Sequence, residues 1–440
     1  MNRSVYLVFL LGFYLPFEDF ILKWFPMPEK AYLILRQAPD ALVLSLALVI
    51  FLKSVFESRL SVVSKKSSFF LLMFMGFALL TVVINNSSLI TAVLSLKALL
   101  RYVFLVYILC WIKPSEKQAL AFIKVVIALA FVEATIGNLQ YIGGDAVLEF
   151  FRPRELSGEM GIAFTTVTGD EVFGTMAYTI SYASFLLIGL VFLFVFGTRV
   201  GLGTAAIGAG AAYLFAAILF SGSRAAFLSA IIAGGLYIFF KRGIRVVFYL
   251  TPGILVLLFV LLYADKGNTS RDFLFFLSPQ YLDNLESQRL GMVRIFLDYL
   301  TSADRHLLYG LSPDKQFLTD YLAMNYRMPY LFSEKMLKAF EDVYWLALLF
   351  YYGIIGLSFF ALTLYYLYKK LMAFNLLADV DGFRKDALLA CRILMLLLIP
   401  LNLVNQTFEV RQFSFYLWAF MGLTFSVLSQ PNGKGTVLKR

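Results

Sequence analysis

The sequence predicts an all-α integral membrane protein with about twelve transmembrane helices, and three observations predict it. The first is composition: 60% of the 440 residues are hydrophobic and only 15% are charged, whereas a soluble domain is about 45–50% apolar and about 25% charged. The second is the mean hydropathy of +0.79, carried by runs that meet the rule of about twenty apolar residues per bilayer crossing. The third is the placement of the cations. The net charge is +10, but it is scattered among the loops. It forms no basic stripe interleaved with aromatics, so no nucleic-acid partner is expected.

In chain order, the first span covers 5–22 and bends at Pro16. It lacks a small-residue cleavage site, so it reads as a span and not as a signal peptide. The second, 41–52, leads to a loop with Lys53, Arg59, Lys65 and Lys66. The third, 69–84, ends at Asn85-Asn86-Ser87-Ser88, and the fourth, 98–112, ends at Lys113-Pro114. The fifth, 119–139, opens into a loop carrying Asp170 and Glu171. Spans six to nine follow over 176–196, 204–219, 227–240 and 246–263, and spans ten to twelve over 344–368, 387–404 and 413–427.

An even count puts both termini on one side. The positive-inside rule makes that side cytoplasmic, because the loops after spans two and eight are basic while 85–88 carries no cation. Three parts result: helices one to nine in 1–264, a periplasmic loop in 265–340, and helices ten to twelve with a cytoplasmic tail in 341–440. Helical apolar spacing over 281–300 and 316–326 makes the long loop a helical cap between spans nine and ten. Cys110 and Cys391 lie in apolar runs and read as buried hydrophobes. The single histidine, His306, excludes a multi-histidine metal site; neither metal nor cofactor is expected.

Arg224 is the residue of greatest interest. It stands in Phe220-Ser221-Gly222-Ser223-Arg224-Ala225-Ala226, where one apolar run stops and the next begins. A fixed cation there either snorkels to the interface or binds an anion. Arg289 and Arg294 occur in Gln288-Arg289-Leu290-Gly291-Met292-Val293-Arg294, ahead of Tyr309-Gly310-Leu311. Guanidinium groups hold phosphate oxygens bidentately at any relevant pH, which suits a diphosphate. Glu341-Asp342 precedes the span that contains Tyr352-Gly353-Ile354-Ile355-Gly356. Those carboxylates read equally as a general base or as a helix N-terminal cap. Arg101, Asp170, Glu171, His306 and Arg411 are candidate substrate contacts. Arg101 with Lys97 could instead snorkel, and Arg411 could pair with Glu409.

Together these motifs, with the Arg-x10-Gly spacing from Arg224 to Gly235, resemble the O-antigen ligase and O-antigen polymerase superfamily. The likeness covers residues 204–356. It implies an integral glycosyltransferase of the bacterial inner membrane that takes a glycan from a polyprenyl diphosphate and passes it to an acceptor on the periplasmic face. Arg224 and Arg289, with Arg294 beside them, would hold the donor diphosphate, and Glu341 or Asp342 would supply the base. The ligase branch has a His-Asn pair just before the tenth span, where this chain has Glu341-Asp342. That departure points to the polymerase branch, whose acceptor is a second lipid-linked unit and whose partners include a chain-length regulator and membrane lipids. Transfer to lipid A-core or protein is the alternative within the superfamily. A flippase for the same lipids would place charges deep in several spans, and the sequence suggests few, namely Glu133, Lys124 and Arg392.

Overall fold

The computed structural model describes residues 4–57, 65–153, 172–243, 305–326, 343–375 and 382–430. Among these residues the regular structure is entirely helical. Among the described residues, seven helices are long and apolar enough to cross a membrane, compatible with a multi-pass membrane protein. They are α1 (Ser4–Lys23), α3 (Lys65–Ile84), α6 (Glu116–Gly143), α8 (Thr179–Phe196), α10 (Arg224–Arg242), α13 (Tyr344–Asn375) and α14 (Phe383–Val404). Two further helices, α4 (Leu89–Leu100) and α5 (Phe104–Ile112), meet at a bend of 52° and together are long and apolar enough for a broken span or a re-entrant loop. The remaining helices are α2 (Glu29–Glu57), α7 (Asp145–Phe151), α9 (Thr204–Phe220), α11 (Arg305–Tyr309), α12 (Lys315–Tyr326) and α15 (Arg411–Ser429). The expected ninth span, 246–263, lies outside the described residues, as does the expected helix over 281–300. The expected 316–326 helix is α12.

Two helices form the centre. Every residue from Gln412 to Leu428 of α15 is buried, and so is nearly all of α8. A helix buried all round need not be amphipathic. It can also carry polar residues that lipid would reject, such as Gln412, Ser414, Thr424 and Ser426. Around this pair, α13 runs antiparallel along α3. Ser67 Oγ donates to the Thr363 carbonyl at 3.1 Å, Phe74 meets Phe360, and the Phe70 and Tyr366 rings stack at 5.4 Å.

Proline explains one long-range joint. Pro16 inside α1 has no N–H, so the Gly12 carbonyl four residues earlier has no helical donor. The Tyr416 hydroxyl of α15 donates to it instead. Another helix start is set locally: Ser115 and Gln118 close a capping box at the head of α6.

Cross-contacts sort the helix ends into two groups. At one end, Lys23 Nζ donates to the carbonyls of Glu149 and Phe150, Tyr141 stacks on Phe220 at 4.1 Å, and Asn85 Nδ2 donates to the Gly310 carbonyl at 3.0 Å. At the opposite end, Arg199 and Lys241 share Asp386, and Gln430 Nε2 donates to the Pro114 carbonyl at 2.9 Å. Arg224 belongs to the first group, directly after the Phe220 turn.

Candidate functional site at the Arg224 end

Gly222 makes the α9–α10 turn with φ +70°, as the sequence suggests, and Arg224 is the first residue of α10. Within the turn, Ser221 Oγ donates to the Ile218 carbonyl at 2.6 Å and accepts from the Ser223 amide at 3.2 Å. Arg224 is half-buried. A cation at a helix N-terminus opposes the helix dipole, so this arginine is badly chosen for holding α10 together. The same placement sets a guanidinium beside backbone N–H groups that attract anions. Gly235, by contrast, faces open space, and packing gives no reason for glycine there.

The other two described segments of the resemblance meet each other. Gly353 interrupts α13 with φ +63° and ψ −175°, and Gly310 has φ +80°. A Cβ on Gly310 would lie 2.4 Å from the Tyr351 carbonyl oxygen, and one on Gly353 would lie 2.3 Å from that of Leu308. Only two glycines let the backbones cross this closely. The break releases α13 carbonyls, and the Leu311 amide donates to that of Phe350 at 2.7 Å. The segment after Gly310 is then tied to α3 and α4: Ser312 to Ser87 at 2.7 Å, the Ser88 amide to Asp314 at 3.1 Å, and Ser95 Oγ to the Pro313 carbonyl at 2.9 Å. His306 lies half-buried on α11 with its ring edge-on to Tyr321 at 5.9 Å.

Arg101 and Arg411, candidates for substrate, converge on one protein carboxylate. Asp40 of α2 is fully buried and accepts from Tyr102 Oη at 2.7 Å and from Arg101 Nη1 and Arg411 Nη2 at 3.3 Å each. Lys97 Nζ lies 3.6 Å away. Arg411 also binds Glu18 and donates to the Arg36 carbonyl at 2.9 Å, and Arg36 Nε lies 3.0 Å from Asp19 Oδ1. Arg101 Nη2 donates to the Glu409 carbonyl at 2.8 Å, and Tyr344 Oη to Glu409 Oε1 at 2.7 Å. Glu409 and Arg411 therefore turn to different partners and not to each other. Tyr178, just before α8, hydrogen-bonds Arg36, and burial pushes its phenol above the ordinary range.

The bend between α4 and α5 has its cause here. Residues 101–103 leave the helix, which sets Arg101 and Tyr102 against Asp40. Three carboxylates (Glu18, Asp19 and Asp40) face four cations (Arg36, Lys97, Arg101 and Arg411), while Glu409 joins through its backbone carbonyl, which accepts from Arg101, and through its carboxylate, which accepts from Tyr344. The network's guanidinium groups are already engaged by the protein's own acids, which makes it a clamp joining α1, α2, the α4–α5 break and α15. Glu18, Asp19, Arg36 and Asp40 were not among the expected site residues. Their signal is ionisable residues within or beside apolar runs, and a second span that starts at residue 41 leaves Arg36 and Asp40 outside it.

Arg289, Arg294, Glu341, Asp342, Asp170 and Glu171 lie outside the described residues. Among the described residues, no group of three or more His, Cys, Asp or Glu is arranged to hold a metal ion, and Cys110 and Cys391 are buried free thiols. Compared with models of known protein families and with curated protein sequences, the chain matches none.

Proposed function

We propose that the chain is a glycosyltransferase of the bacterial inner membrane that polymerises lipid-linked oligosaccharide repeat units on the periplasmic face. A growing glycan leaves its polyprenyl diphosphate and joins the non-reducing end of a second lipid-linked unit. Arg224, with Arg289 and Arg294, neutralises the diphosphate as it departs. Glu341 or Asp342 takes the proton of the attacking hydroxyl. A twelve-span bundle with a helical cap over 265–340 belongs to the same reading.

The observation that carries it is the arrangement of the resembling segments. Tyr309-Gly310 and Tyr352-Gly353 lock together, and Arg224 begins α10 at the same end of the helices. Purified protein supplied with a defined lipid-linked repeat unit should lengthen it. Arg224→Ala should slow elongation about 10²–10³-fold, the scale for losing one preorganised charge-stabilising donor. Unchanged product length at wild-type protein abundance overturns the proposal. Acceptor choice in the same assay separates polymerase from ligase.

A flippase is favoured by a different observation: the breaks at 101–103 and at Gly353, together with the buried ionic network, resemble the discontinuous helices of transporters. In vesicles that reading predicts movement of the lipid-linked unit between leaflets without elongation.

A further inference from the structure

Glu133 is fully buried on α6, one of the helices long enough to span the membrane, and the ionic network does not include it. Its partners belong to a non-helical stretch before α8, in which residues 172–177 are all buried. Irregular backbone away from water must have its polar groups satisfied by protein. Two residues of α6, seven apart and so on one face of the helix, do this. Gln140 Nε2 donates to the Gly174 carbonyl at 2.6 Å, and its Oε1 accepts from the amides of Phe173 and Gly174 at 3.1 and 2.8 Å. Glu133 Oε2 accepts from the Thr175 amide at 3.0 Å.

The remaining contacts leave one proton to be found. Thr175 Oγ1 lies 2.9 Å from the Pro16 carbonyl oxygen and within hydrogen-bond distance of Glu133 Oε1. Two hydrogen bonds through one hydroxyl need two hydrogens, and Thr175 has one. The Pro16 carbonyl has none, so the Thr175 hydrogen points to it. The second hydrogen must come from the carboxyl group. The ionisable groups that face Glu133 from α8 and α15 are Tyr182 and Tyr416, phenols that supply no compensating positive charge.

We infer that Glu133 is a protonated acid in the folded protein, donating its hydrogen to Thr175 Oγ1, and that with Gln140 it docks the chain immediately following Asp170 and Glu171 onto α1 and α6. It is a positioning residue for the stretch 172–177. Because it is neutral, it avoids the penalty of an uncompensated buried charge.

Infrared spectroscopy of the purified full chain in lipid at neutral pH tests this, and it needs no glycan substrate. The wild type should show a carboxylic-acid C=O band that Glu133→Gln removes. Thr175→Val, which deletes the acceptor, should shift the same band. Glu133→Gln is isosteric with the neutral acid and should reach the membrane at wild-type abundance. No band lost in Glu133→Gln, a band unmoved by Thr175→Val, or failure of Glu133→Gln to fold would each overturn the assignment.

Discussion

The two ends of the helices handle charge in opposite ways. At the Arg224 end, the Asp40 side chain is fully buried and Arg101's is 11% exposed; at the other, Arg199 and Lys241 keep 34% and 45% of their side-chain surface while sharing Asp386. Breaking a buried pair leaves a charge that nothing compensates, and breaking an exposed one leaves a charge that water solvates. The first end is therefore specified by its charges, and the second is merely decorated by them.

Asp40→Ala gives the largest effect expected from this contrast. It strips the shared carboxylate from Lys97, Arg101 and Arg411 and should cost about 3–5 kcal/mol in thermal or denaturant unfolding of the detergent-solubilised protein. A loss as small as that of a surface pair would erase the distinction between the ends. Next comes Gly353→Ala, whose new Cβ meets backbone atoms of Leu308 and Gly310 that cannot swing away. About 1–3 kcal/mol is expected, and Leu→Ala substitutions on the exposed surface serve as the comparison. Tyr416→Phe leaves the Gly12 carbonyl unpaired within the helices, and the same measurement should show a loss of about 1–2 kcal/mol. The smallest effect belongs to Asp386→Asn, at about 0–1 kcal/mol and fading as salt is added.

The apolar runs that announced α1, α3, α6, α8, α9, α10, α13, α14 and α15 reach the structure with ends moved by a few residues, because length and hydropathy report directly on helices in lipid. Gly222 was legible for the same local reason: a two-helix turn needs a residue tolerant of positive φ. The extent of α2 was not. Its 29 residues continue through Arg36, Pro39 and Asp40, which a hydropathy reading treats as a boundary. Those charges stay in the helix because Asp19, Arg101 and Arg411 wait for them on other segments, and no local pattern reveals such partners. The break at residues 101–103 was hidden likewise, since Arg101 and Tyr102 leave the helix to meet Asp40, 61 and 62 residues away in the chain. Of the candidate site, the turn at Arg224 was readable and the clamp at the same end of the helices was not, for its members become neighbours only after folding.

The Tyr416–Gly12 bond joins residues 404 positions apart, so an early helix stays incomplete until a very late one is synthesised. During translation the nascent bundle must keep a slot open, lined by the bare Gly12 oxygen and by Glu18 still without Arg411. A polypeptide arrested before α15 emerges should be more open to proteases and quality control than its count of inserted segments suggests. Maturation of the whole then hinges on a closing step rather than on the addition of one more helix.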